Sequence, residues 1–123
     1  MSLAALRQPE ATQEDILDEV FFALSDPVRR AILDRLETGP LLVSEIAGPF
    51  EISLQAVSRH IQVLVRAGLV TQARSGRISR CSLDAEPLSK AAAWINRYAK
   101  YWQAQFEALA QRLTQIETEK EKP

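Results

Sequence analysis

The sequence predicts a mainly α chain with one small β-hairpin. Three observations carry that prediction. Apolar residues recur at helical spacing over most of the chain. Two short β-branched runs flank a Ser-Gly pair, and a seven-residue apolar repeat fills the last third.

Thr12 is placed to N-cap a first helix, with Asp15 three residues on as an approximate capping box. Ile16, Leu17, Val20, Phe21 and Leu24 follow at helical spacing. Ser25-Asp26-Pro27 ends that helix and starts a second. Asp26 suits the N-cap and Pro27 the first helical position. The second helix carries Val28, Ile32, Leu33 and Leu36 to about Glu37, where Thr38-Gly39-Pro40 stops it. A short helix over Val43 to Ala47 is closed by Gly48-Pro49. Ser53 then caps a helix over 54–67 that Gly68 ends. Residues 43–67 therefore read as a helix-turn-helix. Strands over 69–74 and 77–83, linked by Ser75-Gly76, make a hairpin. A helix-turn-helix followed by a hairpin is a winged helix, here a single domain over 1–123 with its wing at 69–83.

The last helix spans about 87–117. Leu88, Ala92, Ile95, Ala99, Trp102, Phe106, Leu109, Leu113 and Ile116 follow steps of four and three. Such a 3.5-residue period keeps one seam turned toward a partner helix.

Length and composition fit one soluble domain of 123 residues. The first fifteen residues lack the apolar run of a signal peptide, and no segment is apolar enough to span a bilayer. With one cysteine, Cys81, the expectation is a cytoplasmic protein without an internal disulfide.

The net charge of −1 hides a strong asymmetry. Residues 1–52 hold four Lys/Arg against ten Asp/Glu, and 84–123 hold six of each. Residues 53–83 hold five arginines and no acid. A basic block inside an acidic chain suits a polyanion-binding face, because only the contacting surface must be positive.

That block is the helix over 54–67 and the wing. Leu54, Val57, Ile61, Leu64 and Val65 make its apolar side, while Gln55, Arg59, Gln62 and Arg66 line up opposite. Arg bridges two acceptors on guanine, Gln pairs with adenine, and Ser donates to a phosphate or a base. The amino-terminal part of a recognition helix reaches the base edges. Gln55, Ser58, Arg59 and Gln62 are therefore the expected readers, with Ser53 near the start; His60, at the edge of the apolar side, is expected to pack or to contact phosphate, and Arg66 to meet the backbone or remain a surface residue. Arg74, Arg77 and Arg80 give the wing a basic tip for phosphates or the minor groove. An ordinary solvated face is the competing reading. Such a face mixes charge signs and gains from Glu-to-Lys pairs; this one has no acid.

Residues about 20 to 88 resemble the ArsR/SmtB family of bacterial winged helix-turn-helix repressors. ALSDPVRRAILDRL, VSEIAGPFEISLQAVSRHIQVLVRAGLV and the SGR wing carry the resemblance. It implies a homodimer on a palindromic double-stranded operator, usually repressing. It also implies that the first and last helices form the dimer interface, which the heptad-like seam supports separately. Leu17, Phe21, Ile95, Trp102, Phe106, Leu109 and Leu113 are the residues expected there.

The chain departs from the metal-sensing members. VSEIAG has no Cys and the final helix no His. One Cys and one His fall short of the three or four ligands that thiolate and imidazole chemistry needs, so a metal site could form only with carboxylates or across subunits. No metal and no other cofactor is expected. Redox chemistry is reduced to an intersubunit disulfide or sulfenic acid at Cys81. The preferred reading packs Cys81 with Leu83 in the core. Trp94, Tyr98 and Tyr101, off the seam, suit either packing or a pocket for a small apolar effector. No nucleophile–base pair or phosphate-binding glycine loop is present, so catalysis is not expected. The alternative function is a protein-interaction module that uses the apolar seam of the last helix.

Overall fold

A computed structural model describes residues 12–121; the amino-terminal stretch inspected for a leader lies outside them, apart from its last four residues. The elements are α1 (Gln13–Leu24), α2 (Pro27–Leu36), β1 (Leu41–Leu42), α3 (Val43–Ala47), α4 (Leu54–Arg66), β2 (Val70–Ser75), β3 (Ile78–Leu83), α5 (Glu86–Asn96) and α6 (Lys100–Glu121). They fall into two compact units that divide after Ala91.

In the first unit the caps are those the residues dictate. The Thr12 hydroxyl accepts from the Asp15 N–H at 3.1 Å, and the Asp15 carboxylate accepts from the Thr12 N–H at 3.3 Å. Asp26 accepts from the N–H groups of Val28 and Arg29 at 2.8 and 3.1 Å, with Pro27 as first residue of α2. Ser53 accepts from the Ala56 N–H at 3.0 Å and so opens α4. These bonds satisfy donors that a helix start leaves unpaired.

Gly68 closes α4 at φ +78°. Its N–H donates to the Val65 carbonyl, and the Leu69 N–H reaches back to the Leu64 carbonyl. This pair of bonds is a Schellman motif, which needs a left-handed residue at that point.

The sheet is three-stranded and antiparallel, in the order β1-β3-β2. β1 is an addition to the hairpin read from the sequence: Leu41 and Leu42 pair with Cys81 and Arg80. The hairpin turn also differs by one residue. Ser75 pairs with Ile78, so the linking residues are Gly76 and Arg77 rather than Ser75 and Gly76. Gly76 takes φ +63°, and no non-glycine among the described residues has a positive φ. A positive φ at the first linking position alone fits a type II′ turn, where glycine is preferred.

One core gathers Val20, Ala23, Ile32, Leu33, Leu36, Ile46, Val57, Ile61, Leu64, Leu69, Val70 and Cys81. Every helix of the helix-turn-helix contributes, so the core fixes α4 against α1, α2 and the sheet. Leu54 is a correction to the apolar face read for α4. It is 55% exposed, and it lines a crevice with Val43, Arg77 and Ile78 instead.

The expected single helix over 87–117 is two helices. α5 stops at Asn96, and the N–H groups of Arg97, Tyr98 and Ala99 each bond to the carbonyl three residues back. Those tighter bonds change the helical repeat locally. No Gly or Pro marks the place, so periodicity alone ran through it. The apolar seam is thus split, with Leu88, Ala92 and Ile95 on α5, Ala99 in the turn, and Trp102, Phe106, Leu109, Leu113 and Ile116 on α6. α6 buries none of its residues. Among the described residues no helix is long and apolar enough to cross a membrane.

A Gly68→Ala variant should lose about 1–2 kcal/mol of unfolding free energy, the strain of a Cβ in the left-handed region. The added Cβ also meets the Pro87 ring at 3.4 Å. Urea titration followed by circular dichroism checks this; an unchanged midpoint contradicts it.

Candidate nucleic-acid interface

α4 presents one polar face from end to end. Gln55, Arg59, Gln62 and Arg66 are all exposed, and Ser58 and His60 are half-buried at its flanks. Val57, Ile61 and Leu64 on the opposite side are fully buried. The helix therefore cannot rotate without expelling core side chains, and its polar face is fixed in direction. The Ser53 hydroxyl is already used as the cap of α4.

The sheet register sorts the wing arginines. Directly paired residues share a face, and side chains alternate along each strand. Gln72 pairs with Cys81 and Arg74 with Ser79, while Ala73 pairs with Arg80. Arg74, Gln72 and Ser79 thus share one face, and Arg80 points to the other. Arg77 sits in the turn at the hairpin tip. Gln62 donates to the Gln72 side-chain oxygen at 3.2 Å, and Gln72 donates to the Ser79 hydroxyl. A polar chain therefore runs from α4 into the wing on the face that holds Arg74. It brings Gln62 and Arg74 to one crevice. Arg66 lies apart from it, beside Gly68, Glu86 and Lys90. Gln72 and Ser79 were missed in the sequence. Strand alternation from Arg74 would have found Gln72.

Arg29 was missed as well. It is 8% exposed, and it is the one buried charged residue among those described. Its Nε donates to the Ala23 carbonyl at 2.8 Å and its Nη2 to the Phe22 carbonyl at 2.9 Å. Arg30 donates to the Leu24 carbonyl at 2.7 Å. α1 has no basic residue in its own last turn. Two arginines of α2 therefore supply the positive charge that a helix carboxyl end favours. The Arg29 guanidinium also lies over the Phe22 ring, 5.0 Å from its centre. Its Nη1 meets His60 Nδ1 at 3.2 Å. The Asp-Pro-x-Arg segment and the Ser-x-His segment, 31 residues apart, thus meet in space.

Asp26 Oδ2 lies 3.8 Å from the same His60 nitrogen. Arg has donors only, so a hydrogen bond at the shorter contact uses the lone pair of Nδ1 in the neutral ring. With the ring protonated, the Asp26 contact is an ion pair instead. Partial burial pushes the Asp26 carboxyl up, but the Arg29 N–H, the nearby His60, the Val28 N–H and the Arg29 charge outweigh it. The result is a pKa below the ordinary 3.8.

Cys81 is buried in the core, and burial raises its thiol pKa. A neutral, enclosed thiol is a poor nucleophile. No group of three His, Cys, Asp or Glu able to hold a metal ion occurs among the described residues.

Trp94 of α5 and Tyr98 of the following turn pack with ring centres 5.3 Å apart, Tyr98 and Tyr101 of α6 at 6.1 Å, and Lys100 lies over Tyr101.

Comparison with known proteins adds to this geometry. The helix-turn-helix domain family matches residues 24–73. The transcriptional repressor SdpR of Bacillus subtilis is 35% identical over 79 residues, 64% of this chain and 88% of SdpR. The transcriptional regulator Rv2034 of Mycobacterium tuberculosis is 38% identical over 81 residues, 66% of this chain and 76% of its own length. A crystal structure of an ArsR family transcriptional regulator superposes with a TM-score of 0.70 at 36% identity, covering 76% of this chain and 97% of that one. The chain belongs to the ArsR/SmtB family. It is a winged helix-turn-helix regulator of transcription that binds DNA, and the reading as a protein-interaction module is not favoured.

An Asp26→Ala variant should lose about 0.5–2 kcal/mol, as N-cap removals do. A carboxyl whose folded pKa is depressed stabilises the fold above its unfolded pKa, and that contribution disappears as pH falls through the folded value. The difference in thermal midpoint between wild type and Asp26→Asn should therefore shrink below about pH 4, near the ordinary 3.8. A difference that grows with acid contradicts it. Cys81 should react with a thiol reagent only as fast as the protein unfolds; stoichiometric labelling of the folded protein within seconds contradicts its burial.

Proposed function

We propose that the protein is a cytoplasmic, non-enzymatic homodimeric repressor that reads an inverted-repeat operator with α4 and grips flanking phosphates with the wing. The observation that carries this is the acid-free surface of α4 and the hairpin, continuous through Gln62, Gln72 and Arg74. Gln55, Ser58, Arg59 and Gln62 read base edges in the major groove. Arg74 and Arg77 contact phosphate. Ser53, His60 and Arg66 lie at the margins of the reading face. Arg80, on the other side of the sheet, has the weakest claim.

Dimerisation is supported by the uncovered seam of α6. Phe106, Leu109, Leu113 and Ile116 are all exposed in the single chain, with Phe106 at 63%. An apolar stripe of this extent marks a surface that another protein covers. Trp102 on α6, Ile95 on α5, and Leu17 and Phe21 on α1 complete the set proposed for the second copy. Two copies related by a twofold axis would place their α4 helices about 34 Å apart on the duplex. The name of SdpR supports repression. No cofactor is required by this reading. A small-molecule effector is compatible with the exposed Trp94, Tyr98 and Tyr101 rings.

The test is fluorescence anisotropy with the DNA upstream of the protein's own gene and with a random duplex, over a range of salt. Specific binding should exceed random binding by about a thousandfold or more. Arg59→Ala should lose roughly 1–3 kcal/mol at one base position per half-site. Arg74→Ala should weaken both duplexes alike and reduce the salt slope by about one. Equal, salt-labile binding to both duplexes by the wild type contradicts sequence reading. Leu109→Glu should yield monomers by analytical ultracentrifugation.

A further inference from the structure

The geometry points to Arg29 as a positioning residue for DNA binding that acts through the tautomer of His60. The inference rests on the DNA reading above. His60 is the one histidine of the chain and lies on the flank of α4, with 24% of its side chain exposed. Its Nδ1 edge faces inward, toward Arg29 Nη1 at 3.2 Å and Asp26 Oδ2 at 3.8 Å. A guanidinium donates and never accepts, and it stays charged at all working pH values. Its bond to Nδ1 therefore assigns the ring proton to Nε2.

Nε2 is on the opposite edge of the ring, and among the described residues it makes no hydrogen bond. In the neutral ring this leaves one N–H, at Nε2, without a partner, on a side chain that is 24% exposed and next in sequence to Arg59. A phosphate oxygen is the ligand of matching chemistry, since it accepts and is abundant along a groove. Asp26 does not compete for that phosphate's donor. Its Oδ2 already accepts from the Val28 and Arg29 N–H groups. Arg29 itself is held by the Phe22 and Ala23 carbonyls, so its Nη1 has a fixed origin. The placement of the carboxyl end of α1 is thereby passed to a donor on α4.

The first experiment is ¹⁵N NMR of the imidazole in the free protein, where a lone histidine makes assignment direct. Wild type should show a protonated Nε2 and an unprotonated Nδ1, and Arg29→Lys should shift that balance toward a mixture. The second is operator binding by two variants that leave Arg29 in place. Asn at position 60 preserves an acceptor near Nδ1 but has no group at Nε2; Gln reaches the Nε2 position. His60→Asn should bind about tenfold more weakly at an unchanged melting temperature, the loss of one bond to a charged acceptor. His60→Gln should stay within about threefold of wild type. A ring protonated at Nδ1, or His60→Asn binding as wild type does, overturns the inference. If Arg59→Ala weakens binding while His60→Asn does not, the DNA reading survives and this one fails. Wild type binding no duplex at low salt overturns both.

Discussion

The buried guanidinium of Arg29 is the constraint on which the arrangement of the helix-turn-helix depends. A charge taken from water is tolerated only when its donors are paired. Arg29 meets that demand with the Phe22 and Ala23 carbonyls at the α1 carboxyl end and with His60 of α4. The last carbonyls of a helix lack intrahelical donors; Arg29 supplies one to Ala23 and adds to the Ser25 bonds on Phe22. Three helices are pinned together there. Bonds to charged groups contribute about 1.5–3 kcal/mol each, against roughly 0.5–1.5 for neutral ones. That difference makes this corner stiffer than apolar packing alone would.

From that corner the polar face of α4 follows. Val57, Ile61 and Leu64 lock the helix into the core from below, and Arg29 holds its flank. Gly68 stops it and turns the chain into β2. The Gln62–Gln72–Ser79 chain then joins helix and wing. A reading surface must be rigid to discriminate bases, since an error of one ångström forfeits bidentate geometry. Core packing and these hydrogen bonds supply that rigidity.

Much of this was legible in the sequence because the signals are local. Thr12, Asp26 and Ser53 cap helices through their own side chains, and the structure has each bond. The missing acids in 53–83 pointed to the surface proposed to meet DNA. What escaped depends on pairings distant in sequence. Arg29 was not singled out, because no local pattern shows that its side chain folds back onto the α1 carbonyls and reaches His60, 31 residues on. The two-residue strand β1 has no periodicity to detect. Leu54 satisfied the apolar pattern of α4 yet lies at the helix start, beyond the reach of the core. The break at 97–99 lies within an unbroken 3.5-residue repeat and carries neither Gly nor Pro. The candidate site residues other than Arg29, Gln72 and Ser79 were named by residue type and helix face, and only the register of β2 and β3 sets Arg80 apart.

Hydroxyl-radical footprinting of the protein on its operator tests the central claim most directly. Two copies presenting α4 to successive major grooves should protect two backbone patches, symmetric about one centre and one helical turn apart, with weaker protection outside each from the wing. A single protected patch, or uniform protection with no periodicity, would contradict a dimer that reads inverted half-sites.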